Sequence, residues 1–295
     1  MDRKKFHGAF TAIVTPFTSN GIDEASYKKL VEWQIAQGIH GLVPCGTTGE
    51  SPTLTMEEHN RVIEICIEAT NKRVPIIAGA GSNSTAEAVE YTKHAAKAGA
   101  DAVLVVTPYY NKPTSKGLYL HYKAVSEAAN IPIILYNVGG RTGKNIEPDV
   151  MAKLASIKNI IGVKEASGNL GQMKKIQELC PKDFLLISGD DALTLPILEM
   201  GGVGIISVAS NIVPKDVAGL VNAFNNKDKA TAEAINTKLL PLINSLFIET
   251  NPIPVKTAAG LMGLCSDRMR LPMCEMEDEN LVKLKTALKN YGLLK

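Results

Sequence analysis

The chain has 295 residues, 45% hydrophobic and 21% charged, an ordinary globular mix with enough apolar material for a large core. Its 32 Lys and Arg against 30 Asp and Glu leave a formal charge of +2, which gives no electrostatic ground for binding nucleic acid or a membrane surface. Cys45, Cys66, Cys180, Cys265 and Cys274 show no C-x-x-C spacing, and the histidines are scattered without H-E-x-x-H. A disulfide framework and a spaced metal motif are therefore not expected, and a reducing, cytoplasmic setting is.

The chain opens on a basic Met1–Phe6, followed at once by a strand-like run without a cleavage site, so no export signal is read. No apolar run approaches the roughly 18 residues of a membrane helix. Short runs rich in Val and Ile then recur at Ala9–Val14, Gly41–Cys45, Pro75–Ala78, Ala102–Val106, Pro132–Leu135, Ile160–Val163, Phe184–Ile187 and Val203–Val208. Helical spacing fills the intervals, as in Glu57–Asn71, Thr85–Ala98 and Lys116–Ala129. T-x-x-E capping boxes are expected at Thr55/Glu58 and Ser84/Glu87. Eight alternations predict an α/β fold of the (β/α)8 barrel type, since eight parallel strands close a cylinder. The rival, an open doubly wound sheet, lacks a G-x-G-x-x-G after the first strand. Beyond about residue 228 the strands stop and three helical segments follow, with Asn251-Pro252-Ile253-Pro254 read as a connection. The expected division is a catalytic barrel over 1–227 and a C-terminal helical extension over 228–295.

Reactive groups of such barrels gather where strands end. The second strand ends in Gly46-Thr47-Thr48-Gly49-Glu50, the fourth in Thr107-Pro108-Tyr109-Tyr110-Asn111, the fifth in Tyr136-Asn137 before Gly139-Gly140-Arg141-Thr142-Gly143, and the sixth in Lys164-Glu165-Ala166-Ser167-Gly168. Lys164 follows an unbroken apolar run. It is either a reactive amine in a dry site or a strand-end lysine that reaches solvent or pairs with Glu165. Tyr136, on the adjacent strand at nearly the same height, is either a proton shuttle for that amine or a buried aromatic with a satisfied hydroxyl. The Gly46–Gly49 turn offers hydroxyls and amides to a small carboxylate, or is a plain turn. Arg141 either grips a second carboxylate or is a solvated loop arginine.

Together these motifs, with Gly162-Val163-Lys164, Ser188-Gly189-Asp190-Asp191 and Asn251-Pro252-Ile253-Pro254-Val255-Lys256, resemble the dihydrodipicolinate synthase family from end to end. The resemblance implies that Lys164 forms an imine with pyruvate. It implies that Tyr136, Thr48 and Tyr110 relay protons, with Tyr110 donated to a neighbouring subunit. It also implies that Thr47 and Thr48 hold the pyruvate carboxylate beside the Ile206 carbonyl, and that Arg141 receives L-aspartate 4-semialdehyde. No cofactor beyond the covalent imine is implied, and a homotetramer is. The related N-acetylneuraminate lyases and keto-deoxy sugar-acid aldolases share the Lys and Tyr. They differ at the Arg141 loop and the Thr pair, which match the synthases here. A barrel that senses lysine or a keto acid without turnover is the non-enzymatic alternative.

Two departures stand out. Where the family usually has Pro after Tyr-Asn-Val, this chain has Gly139-Gly140, which is expected to loosen the loop by roughly 1 kcal/mol. In lysine-sensitive members an L-lysine site lies at positions matching Ser51, Pro52, His59, Asn83, Glu87 and Tyr109. Met56 stands where some of those members carry His.

Overall fold

The computed structural model describes residues 2–295. Among the described residues, eight strands belong to one parallel sheet: β1 Gly8–Ala12, β2 Gly41–Val43, β3 Ile77–Gly79, β4 Ala102–Val106, β5 Ile133–Asn137, β6 Ile160–Glu165, β7 Leu185–Ser188 and β8 Gly204–Ser207. Helices alternate with them and further helices follow, which makes the chain a (β/α)8 TIM barrel with C-terminal helices. Nearly every strand residue is buried, as parallel strands covered on both faces require, and this is why they read as unbroken Val/Ile runs. The expected strand positions hold to within a few residues. Pro75 and Pro132 fall just ahead of β3 and β5, because a proline has no N–H to give to the ladder.

Two compact units are present, residues 2–7 with Pro75–Ile206 and Gly8–Val74 with Ser207–Lys295. In the first, consecutive strands from β3 to β8 pair in parallel, and their core is built from residues such as Ile134, Leu135, Ile161, Val163 and Ile187. In the second, β1 pairs with β2, and Asn211 donates to the Ala12 carbonyl at 2.8 Å while accepting from the Val14 amide at 3.0 Å.

Helices Met56–Thr70, Thr85–Ala98 and Ser115–Ala128 lie within a residue of their expected bounds. The Thr55/Glu58 capping box forms in full, with the Glu58 amide donating to Thr55 Oγ1 at 3.2 Å and the Thr55 amide donating to Glu58 Oε2 at 3.0 Å. The second box does not form. Ser82, two residues earlier, accepts from the Ser84 amide at 3.0 Å and donates to the Glu87 carboxylate, so Ser84 makes no cap bond. The C-terminal segments are Lys229–Ser245, Ile253–Leu261 and Asp278–Tyr291. Residues expected to be connection thus open a helix: Pro252 caps it and Pro254 sits in its first turn, where no N–H is needed. All five cysteines are free thiols. Among the described residues no helix is long and apolar enough to cross a membrane, and no group of three or more His, Cys, Asp or Glu is placed to hold a metal ion.

Candidate active site

Parallel pairing of β5 with β6 sets Tyr136 directly beside Lys164, and Asn137 beside Glu165. Both members of the first pair are buried, Lys164 at 5% and Tyr136 at 7% exposure. The Lys164 Nζ stands 4.3 Å from the Tyr136 ring centroid. Among the described residues Lys164 enters no ion pair. Alternation along the strand turns Glu165 to the opposite face. There its fully buried carboxylate accepts from Asn137 Nδ2 at 2.9 Å, the Ser167 amide at 2.7 Å and Gln172 Nε2 at 3.3 Å. The reading in which Glu165 neutralises Lys164 is thereby excluded, as is a lysine reaching into solvent. At the end of β7, a Cβ on Gly189 would stand 3.0 Å from both Cγ and Cε of Lys164, so the absent side chain is what leaves the lysine its path. The amide and hydroxyl of Thr107 both donate to the Tyr136 carbonyl at 3.0 Å, fixing the strand end that carries the phenol.

The same network reaches the Arg141 loop. Asn137 donates to Asn145 Oδ1 at 2.8 Å and accepts from the Ile146 amide at 3.0 Å. Between these anchors Gly139–Thr142 winds one helical turn, and the buried Thr142 hydroxyl donates to the Lys144 carbonyl at 2.9 Å. Here the glycines take up helical geometry and the loop is tied at its base. Arg141 itself is exposed. Tyr110 is 89% exposed with φ of 69°, a left-handed conformation that a bulky residue adopts only under local constraint. Asn83 donates to the Tyr109 carbonyl at 3.2 Å, which joins those two, while Glu87 is engaged by Ser82.

In the other unit, the turn after β2 closes through Gly49 N to Gly46 O at 3.0 Å and Glu50 N to Thr47 O at 3.1 Å. Thr47 is half-buried and Thr48 is 3% exposed. Asn251 Nδ2 donates to Thr48 Oγ1 at 3.0 Å. Glu50, at φ 55°, binds the fully buried Lys256 Nζ at 2.5 Å and accepts the Arg270 amide at 3.1 Å. Burial pushes the Lys256 ammonium below the usual lysine range, and Glu50 opposes that shift. The Arg270 guanidinium forks onto Glu58 at 2.6 and 2.5 Å. Ser51 and Pro52 open the 3-10 turn Ser51–Thr53 and His59 is buried within Met56–Thr70, while Ile206, a residue of the first unit, is buried in β8.

Gly189, Asn251 and Asn137 lie within motifs noted in the sequence but received no role from it, and Glu165 was read only as a partner for Lys164. Position at or just after the ends of β7, β5 and β6 was the available signal for all but Asn251.

The dihydrodipicolinate synthetase family model matches residues 5–291. Over 291 residues the chain is 57% identical to the 4-hydroxy-tetrahydrodipicolinate synthase of Endomicrobium trichonymphae, covering 98% of this chain and 100% of that one. Among solved structures, the pyruvate complex of the chloride-inhibited dihydrodipicolinate synthase of Acinetobacter baumannii superposes with TM-score 0.95 at 47% identity, covering 98% of this chain and 99% of that one. The Cyanidioschyzon merolae enzyme with lysine bound does so with TM-score 0.95 at 40% identity and the same coverage. With the model match spanning almost the whole sequence and the fold reproduced at TM-score 0.95, the chain belongs to the dihydrodipicolinate synthetase family.

Proposed function

We infer that Lys164 is the covalent amine of this family's reaction. The chain is a lyase that condenses pyruvate with L-aspartate 4-semialdehyde to 4-hydroxy-tetrahydrodipicolinate on the diaminopimelate route to lysine. The observation that carries the assignment is a buried lysine that enters no ion pair among the described residues, in register with a buried tyrosine. The Lys164 nitrogen adds to the pyruvate ketone and water leaves, giving an iminium that acts as electron sink. Loss of a methyl proton forms the enamine, whose carbon attacks the aldehyde. The substrate's own amine then displaces Lys164 as the ring closes. Tyr136 and Thr48 pass protons through these steps, and Tyr110 completes the relay from a neighbouring subunit. Its exposure and constrained backbone support that donation and hence a pairing of subunits, and the family resemblance extends this to a homotetramer. Thr47 and Thr48 hold the pyruvate carboxylate near the Ile206 carbonyl, and Arg141 receives the carboxylate of the second substrate. No cofactor besides the imine takes part, the chemistry resides in 1–227, and the enzyme works in the cytoplasm.

L-Lysine binds at Ser51, Pro52, His59, Asn83, Glu87 and Tyr109, a reading supported by the lysine-bound relative from Cyanidioschyzon merolae. Unchanged turnover at millimolar lysine rejects it. For the reaction itself, a coupled assay on both substrates is expected to show Lys164→Ala slower than the parent by at least about 1,000-fold, within the range lost when a covalent group is removed. A Lys164→Ala protein that turns over at the parental rate contradicts the assignment.

A further inference from the structure

We propose that Asn251 is a positioning residue that sets the direction of the Thr48 hydroxyl. The inference rests on the reading of Thr48 as a member of the proton relay. A threonine hydroxyl carries one hydrogen and two lone pairs and rotates freely unless a neighbour decides which way it points. Here Asn251 Nδ2 donates to Oγ1 from 3.0 Å. That bond occupies a lone pair and leaves the hydroxyl hydrogen to be given elsewhere. Bulk solvent has little access to the oxygen, since Thr48 is 3% and Asn251 5% exposed.

The position of the turn does not depend on this bond. Thr48 sits in a turn closed by its own backbone, and two residues on, Glu50 is clamped by Lys256 and by the Arg270 amide. Lys256 lies five residues beyond Asn251 on the same C-terminal segment, so one stretch of chain grips the turn twice. The ion pair fixes where the turn is. The amide decides which way the hydroxyl faces.

The test uses the full chain with Asn251→Ala, Asn251→Asp, Thr48→Val and the Thr48→Val/Asn251→Ala double variant, measuring kcat, pyruvate KM and melting temperature. A relay proton is worth on the order of 100-fold or more. Asn251→Ala is expected to lower kcat about 10-fold or more, with pyruvate KM within about three-fold and melting little changed. Asn251→Asp is expected to be slower still near neutral pH, because a carboxylate accepts the hydroxyl hydrogen and turns it away. It recovers relative to the parent as pH falls and the carboxyl can donate. The double variant is no slower than Thr48→Val alone, since the amide then has no hydroxyl to direct. Multiplicative losses in the double variant, or Asn251 variants that keep kcat and lose only stability, overturn the proposal while leaving the relay intact. A Thr48→Val enzyme with parental kcat overturns the relay reading and the proposal with it.

Discussion

Lys164 and Lys256 share much of their environment. Each is withdrawn from solvent, and each holds its nitrogen over an aromatic face, 4.3 Å from the Tyr136 centroid and 4.2 Å from that of Phe17. They part at the counter-charge. Lys256 meets the Glu50 carboxylate at 2.5 Å and is spent on holding a turn. Lys164 is flanked in sequence by Glu165, but the strand turns that carboxylate to the other face and binds it there to Asn137, Ser167 and Gln172. Burial alone therefore does not mark a reactive lysine. On the proposed assignment of Lys164, what marks it is burial with the available acid directed elsewhere.

The largest expected effect comes from exchanging each amine for a thioether of similar length. Lys256→Met strands Glu50 in the interior and is expected to cost about 3–5 kcal/mol of stability, read from urea midpoints. Lys164→Met strands no ion and is expected to stay within about 1.5 kcal/mol of the parent while losing turnover. Equal destabilisation of the two variants breaks the contrast.

Next is Gly189→Ala, which puts a methyl 3.0 Å from Lys164 Cγ and Cε and 2.8 Å from Ala166 Cβ. Displacing the amine by an ångström is worth about 100-fold. Single-turnover imine formation is expected to slow by that factor, and a parental rate shows that Lys164 has room to spare.

A third buried base bears on the same contrast, because burial without a charged partner suppresses ionisation. His121 shares Nδ1 with the Thr85 hydroxyl at 3.0 Å, and burial pushes it down to about 4. Its folded value lies below the unfolded one near 6.5, so the unfolded chain takes up the proton first. The stability it supplies is complete above about pH 6.5 and is lost as pH falls toward 4. Between pH 7 and 5 the loss is about 2 kcal/mol. His121→Gln is expected to lose less over that interval, and parallel losses refute the assignment.

The smallest effect concerns the loop behind Arg141. Gly140 takes helical geometry, and a methyl added there would meet nothing within 4 Å, so Gly140→Ala is expected to stabilise by about 0.4–1 kcal/mol. The melting temperature checks it, and a fall shows that the glycine is needed.

What could be read in advance follows from the range of each signal. The eight strands were legible because parallel strands buried on both faces leave local Val/Ile runs, and the Lys164–Tyr136 pairing because adjacent strands share a register. The Asn251–Thr48 bond spans 203 positions and the Lys256–Glu50 pair 206, and no local pattern reports contacts of that separation. The second capping box failed for a local reason: Ser82 competes for the same groups, and a T-x-x-E or S-x-x-E spacing does not show a rival two residues upstream. Asn251-Pro252-Ile253-Pro254 misled because proline both ends helices and begins them.

Which amine becomes covalent is decided by borohydride reduction in the presence of pyruvate, followed by peptide mass mapping. One adduct is expected, on the peptide bearing Lys164, absent from Lys164→Met and retained in any Lys256→Met protein that folds. An adduct on Lys256, or active enzyme that traps none, contradicts the assignment of Lys164.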